Sequence, residues 1–244
     1  MGRENMITVR GLVKRFGAVT AVDGVSFEVA RGEVFGLLGE NGAGKTTTLR
    51  MLATLLAPTG GEASIDGVDI RKAPEEARRR IGVVFEGGVY DRLTARENIR
   101  YFGMLHGLRG RALEARIDEL LSTLSMREYA DRRAGELSKG MRQKIAIARS
   151  LVHDPPVLLM DEPTSGLDVT AALLVHDFVA EAKRQGKTIL FSSHNMSEVE
   201  KLCDRVGVIH KGKLAALGAV DELRRAAGGR SLEELFVEIV GGRP

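Results

Sequence analysis

Cysteine is all but absent: Cys203 is the single thiol in 244 residues, so no internal disulfide can form. No charged segment followed by an apolar stretch opens the chain, and together these features suggest a cytosolic protein. Long apolar runs are missing too. None approaches the roughly 20 residues that a membrane-spanning helix requires, so any membrane role needs a partner. Nor is there a basic block of the kind that tracks a phosphate backbone: 36 cations and 33 anions are well mixed, leaving a net charge of +3. Nucleic acid is therefore not expected as a partner. Internal repeats and low-complexity tracts are also lacking. What remains, 43% hydrophobic and 28% charged residues, suits one large α/β domain, or one domain with an inserted subdomain, that buries a full core.

Short apolar runs recur at 7–9, 25–29, 34–38, 81–85, 157–160, 188–191 and 206–209. The unalternating ones suggest strands buried on both faces of a mostly parallel sheet. The early ones alternate more clearly and are separated by turn residues, among them 18–24 and Asp66-Gly67, which suggests an antiparallel β subdomain. From Tyr90 to Val152 helical patterns replace the strands, opening at Thr94-Ala-Arg-Glu97, a capping box. The expected organisation is a core of residues 1–89 and 153–225, a helical insertion at 90–152 and a tail at 226–244. The tail holds a second capping box, Ser231 to Glu234, with Leu232, Leu235, Phe236 and Ile239 on one helical face.

The segment Gly39-Glu-Asn41-Gly42-Ala43-Gly44-Lys45-Thr46 matches G-x-x-x-x-G-K-S/T, follows the apolar run 34–38 and precedes a helical stretch expected over 46–56. Glycines let successive backbone N–H groups turn toward an anion, and a helix N-terminus adds partial positive charge. Lys45 reaches β- and γ-phosphates, and the Thr46 hydroxyl suits Mg²⁺. Val157-Leu-Leu-Met-Asp161-Glu162-Pro163 sets two carboxylates at a strand end, where a phosphate-loop protein needs its second metal contact and a group to polarise water. His194 follows the run 188–191, where open α/β sheets place ligand-contacting groups; His106, His153, His176 and His210 take ordinary structural roles. A second phosphate-like element, Leu137-Ser138-Lys139-Gly140-Met141, begins a helix about a hundred residues after the first.

In this order the motifs resemble those of ATP-binding subunits of ABC transporters, a phosphate-loop NTPase (RecA-like) α/β fold, over essentially the whole chain. GENGAGKT resembles the Walker A motif, VLLMDEP the Walker B, Ser165 to Asp168 the D-loop, SSHN the switch-histidine region and LSKGM the family signature. The resemblance implies ATP and Mg²⁺, with Gly39, Asn41, Gly42, Ala43, Gly44, Lys45, Thr46, Thr47 and Asp168 at the nucleotide. Phe16 stands where the family usually stacks a Tyr on adenine. Catalytic roles are implied for Glu162, His194 and Lys45, and metal contacts for Thr46, Asp161 and Glu86. Glu86 takes the place of the usual Gln and brings a negative charge near the γ-phosphate, where it is expected to tune Mg²⁺ dependence.

By the same resemblance, Ser138 and Gly140 act on the ATP of a second subunit, identical or different, which explains two phosphate elements in one chain. A separate transmembrane permease is the other implied partner, docked near residues 90–107, with this chain peripheral on the inner face of the membrane. The stretch Tyr90 to Asn98, the signature and the tail look most like exporters of the sodium-efflux and drug-resistance type. A soluble ATPase of the same fold acting in translation or DNA maintenance, and a nucleotide-gated binder without turnover, are the competing readings.

Overall fold

Apolar runs without polar alternation must be covered on both faces, and the structure does this by stacking them side by side. The computed structural model describes residues 4–85, 87–226 and 232–241. Chain order begins β1 (Asn5–Phe16), β2 (Val19–Ala30), β3 (Val34–Leu38), α1 (Lys45–Leu52), β4 (Gly60–Ile65), β5 (Val68–Asp69), α2 (Pro74–Arg79) and β6 (Ile81–Val84). The helical stretch follows as α3 (Ala95–Leu105), α4 (Gly110–Thr123) and α5 (Lys139–Leu151). The chain then returns to alternation with β7 (Val157–Asp161), α6 (Val169–Arg184), β8 (Thr188–Ser193), α7 (Met196–Leu202), β9 (Arg205–His210), β10 (Lys213–Ala219), α8 (Val220–Ala226) and α9 (Leu232–Gly241).

Among the described residues the strands form two sheets. One runs β2-β1-β4-β5 and is antiparallel; the other runs β10-β9-β3-β8-β7-β6 and is parallel except for β10 at its edge. The phosphate-loop α/β core with an antiparallel subdomain and a helical insertion is thus the observed fold. Side chains alternate across a strand, so β3 divides between two cores. Val34 and Leu38 join the helices α3 to α6, whereas Phe35 and Leu37 pack with Leu49, Met51 and the apolar face of β1 and β2.

Register decides which loops meet. Leu38 pairs with Ser193 across β3 and β8, and Asp161 pairs with Ser192 across β7 and β8. The loop after β3, the carboxylates after β7 and the histidine after β8 therefore leave the sheet next to one another, at the crevice where open α/β sheets bind ligands.

Several local expectations are corrected. Residues 18–24 are not a turn: Gly17 and Ala18 alone turn the chain, and Val19 onward is strand β2. Bulges between Val9 and Leu12 and around Lys14 absorb the irregular polar pattern that looks like a break in the sequence. The helix expected over 46–56 ends at Leu52, since Thr54 adopts a left-handed φ of 59° and the Leu55 and Leu56 N–H groups fold back onto the Arg50 carbonyl. Strands β4 and β10 are rich in Gly and Ala and carry little β propensity of their own; pairing with β1 and β9 makes them strands. In the tail, Phe236 is buried as expected. Ser231, and the side chains of Leu232, Leu235 and Ile239, lie outside the described residues.

The capping box at α3 has both halves. Thr94 Oγ1 accepts the Glu97 N–H at 3.1 Å, and Glu97 Oε2 accepts the Thr94 N–H at 2.8 Å. Asn98, fully buried one turn on, ties down the preceding loop by bonding the backbone of Tyr90, Leu93 and Thr94. Thr94→Ala is expected to lower stability by about 1 kcal/mol. Urea unfolding checks this, and an unchanged midpoint would contradict it.

Candidate active site at the carboxyl edge of the parallel sheet

The loop from Gly39 to Gly44 joins a fully buried strand to a helix with almost no slack, and this dictates glycine at its ends. A Cβ at Gly39 would lie 2.5 Å from the Ile209 carbonyl; one at Gly44, whose φ is 111°, would lie 2.6 Å from the Ala21 carbonyl. Asn41 and Gly42 are exposed at the tip, while Ala43 is buried and its carbonyl accepts the Gly212 N–H at 2.9 Å.

Lys45 begins α1 with only 4% of its surface exposed. A buried ammonium must have its donors met, and its Nζ lies 2.7 Å from the Gly39 carbonyl, 3.0 Å from the Glu40 carbonyl and 3.2 Å from Glu162 Oε1. Glu162 has a left-handed φ of 45°, uncommon for a residue with a side chain. Its N–H donates to Ser192 Oγ at 3.1 Å, which holds the turn, and its second carboxylate oxygen lies 3.0 Å from His194 Nδ1. Lys45, Glu162 and His194 thus form one chain of contacts. Beside it, Asp161 Oδ1 accepts the hydroxyls of Thr46 at 3.0 Å and Ser192 at 2.6 Å. Thr47 is half-buried in the first turn of α1.

The structure therefore brings together Gly39, Lys45, Thr46, Asp161, Glu162 and His194. A cavity of about 540 Å³ opens in front of them; Asn41, Thr46, Asp161 and Glu162 line it, as do Lys139, Arg142 and Gln143 of α5. Gln143 donates to the Pro163 carbonyl at 2.7 Å, tying α5 to the turn after Glu162. Ser192 and Gln143 are participants that the sequence reading did not single out; the signal for Ser192 was a hydroxyl at a strand's carboxyl end.

Other expected residues sit apart from this cluster. Phe16 projects from the end of β1, half exposed, with Lys14 Nζ 5.0 Å from its ring centre. Ser138 is exposed and caps α5 by accepting the Met141 N–H at 3.3 Å, while Gly140 lines a separate cavity beside Ala171. The Asp168 carboxylate caps α6, accepting the Ala171 N–H at 2.8 Å. Glu86 lies outside the described residues.

The groups bonded around Thr46 are all oxygens, the Asp161 carboxylate and the Ser192 hydroxyl, and among the described residues no group of three or more His, Cys, Asp or Glu could cage a metal. One carboxylate and one hydroxyl suit a hard cation that keeps its waters and takes its remaining ligands from phosphate, which is the habit of Mg²⁺.

A family model described as ABC transporter matches residues 22–165. The ABC transporter ATP-binding protein NatA of Bacillus subtilis is 50% identical over 238 residues, 95% of this chain and 97% of its own length. The chain belongs to the ABC transporter family. Within that family it is an ATP-binding, ATP-hydrolysing subunit rather than a soluble factor of translation or DNA maintenance. The Nod factor export ATP-binding protein I of Burkholderia lata is 42% identical over 234 residues, covering 94% of this chain and 76% of that protein. Among solved structures, a dimeric post-hydrolysis ATP-binding cassette bound to ADP and Pi has a TM-score of 0.80 at 26% identity, covering 88% of this chain and 98% of its own.

Proposed function

We propose that this ABC subunit dimerises head to tail around two Mg·ATP molecules and powers export through a separate transmembrane subunit. The observation that carries the reading is the engagement of Lys45, which donates to two loop carbonyls and forms an ion pair with Glu162. A γ-phosphate entering the loop competes with Glu162 for the same ammonium. Once displaced, the Glu162 carboxylate is free to accept a proton from water, with His194 holding its other oxygen. Binding of ATP and arming of the base are then one event.

Thr46 and Asp161 would hold Mg²⁺, which supplies charge neutralisation on the phosphates. Gly39 to Gly44 cradle the phosphates with Thr47, Phe16 faces adenine, and Glu86 is assigned, by the sequence resemblance alone, the tuning of Mg²⁺ dependence. Hydrolysis of this kind needs positioning and charge more than covalent chemistry. Ser138 and Gly140 act across the interface on the second copy's nucleotide, while Asp168 contacts nucleotide; the exposure of Ser138 at the start of α5 supports the first assignment. The region 90–152 is taken as an inserted subdomain on the core of 1–89 and 153–225. No helix among the described residues is long and apolar enough to cross a membrane. A groove of about 730 Å³ between Leu55 on the core side and Phe102, Leu105 and His106 of the helical region supports docking of the transmembrane partner. Leu55 and Leu105 stand exposed at this groove, which supports a position at the inner membrane face. The name of the Nod factor relative supports export.

Mixing two inactive variants tests the head-to-tail arrangement. Lys45→Met breaks one subunit's own loop and Ser138→Arg breaks the lid it lends. A mixed dimer retains one complete site if the lid acts on the partner, so the mixture is expected to hydrolyse ATP that neither variant turns over alone. No recovery on mixing would overturn the arrangement.

A further inference from the structure

Behind His194 lies a buried polar chain that the residue roles above leave unused. Glu198 on α7 is 3% exposed, yet it carries a carboxylate. Its Oε2 accepts the Ser193 hydroxyl at 2.8 Å, and its Oε1 lies 3.2 Å from His176 Nε2 on α6. Ser193 Oγ in turn accepts the Asn195 N–H at 3.0 Å, and Asn195 Oδ1 accepts the Glu198 N–H at 3.3 Å, capping α7. The residues on either side of His194 are therefore both locked to Glu198, directly or through Ser193.

Burying a carboxylate is costly unless its oxygens meet donors, and here each oxygen meets one. That requires the hydrogen of His176 on Nε2. The acid stands between the serine and the histidine, so the histidine cannot take the serine's proton. This order does not make a nucleophile; it makes a brace. His194 itself is half exposed and touches Glu162 through one ring nitrogen, so its aim depends on the backbone that carries it. The brace also reaches α6: His176 lies eight residues after the cap Asp168, about 12 Å along the helix. Ser165 and Gly166, just before that cap, share a small cavity with Glu162 and His194.

We propose that Glu198 is a positioning residue for ATP hydrolysis. Through Ser193 it holds the loop that presents His194 to Glu162, and through His176 it ties that loop to α6. The inference rests on the role given to His194 above. Displacing a reacting group by about 1 Å can cost on the order of a hundredfold in rate, whereas the phosphate loop that binds ATP is untouched.

Steady-state phosphate release by the purified chain with Mg²⁺ tests this. Glu198→Ala is expected to lower kcat about tenfold or more while KM for ATP stays within about twofold. Ser193→Ala, which removes one hydroxyl and keeps the buried pair with His176, is expected to act in the same direction and carries the test if Glu198→Ala does not fold. Glu198→Gln should recover most of the rate, because an amide accepts from Ser193 and donates to His176 Nε2. Adding Glu198→Ala to His194→Ala should cost little more than His194→Ala alone, as residues acting through one another are not additive. Wild-type kcat in both Glu198→Ala and Ser193→Ala, or a multiplied loss in the double variant, overturns the proposal. Wild-type kcat in His194→Ala would instead overturn the role of His194, and the brace with it.

Discussion

Glu162→Gln is expected to bind ATP at least as tightly as the native chain while hydrolysing it about 10²- to 10⁴-fold more slowly, the range lost with a general base. The amide has the same shape, suits the same left-handed turn and still bonds His194, so the fold of the site is kept. What it loses is a basic oxygen and a charge. The loss of charge has a second effect, because Glu162 pairs with Lys45 at 3.2 Å and a phosphate must displace it. Without that competitor, Lys45 is available to ATP from the start. Slow turnover with undiminished binding leaves nucleotide trapped between subunits, so the variant should elute as a dimer from a sizing column when ATP and Mg²⁺ are present. Turnover near the native rate would remove Glu162 from the role of base.

Lys45→Ala has the opposite signature: both binding and turnover fail. A charge-assisted hydrogen bond to phosphate contributes about 1.5–3 kcal/mol, so affinity should fall about 10- to 100-fold. Loss of a preorganised donor to the developing charge should lower kcat by about 10²- to 10³-fold more. Arginine is not expected to substitute. The pocket leaves 4% of Lys45 exposed, and its ammonium meets two carbonyls and a carboxylate around a point, which a planar fork cannot reproduce. Calorimetric titration with ATP and phosphate release read the two losses separately; retention of native affinity would contradict the assignment.

The parts of the site that were legible in the sequence are those in which chemistry and local geometry share one short segment. The stretch from Gly39 to Thr46 announces its loop by glycine spacing between an apolar run and a helical one. Asp161 and Glu162 stand at the end of a run too apolar to be anything but buried. Thr94 and Glu97 carry their cap in four residues. Less legible was the β-hairpin of β1 and β2, where bulges break the alternation, and the strands β4 and β10, whose residues prefer no strand until a neighbour pairs with them. The brace at Glu198 was invisible: its partners, Ser193 and His176, come from a strand end and from the middle of a helix, and nothing in the spacing 176, 193, 198 suggests a contact.

By itself, then, the sequence determined the buried strands of the parallel sheet, the phosphate loop, the acidic strand end and the family they resemble, because glycine placement, apolar periodicity and capping act over a few residues. Only the tertiary structure decided that Lys45 meets Glu162, that Thr46 and Ser192 share one oxygen of Asp161, and that Ser138 stays apart from both. Those contacts follow from the strand order β10-β9-β3-β8-β7-β6 and its register. Hydrogen bonds between strands far apart in the chain depend on how the helices pack against both faces of the sheet, and that packing leaves no mark on any short stretch of residues.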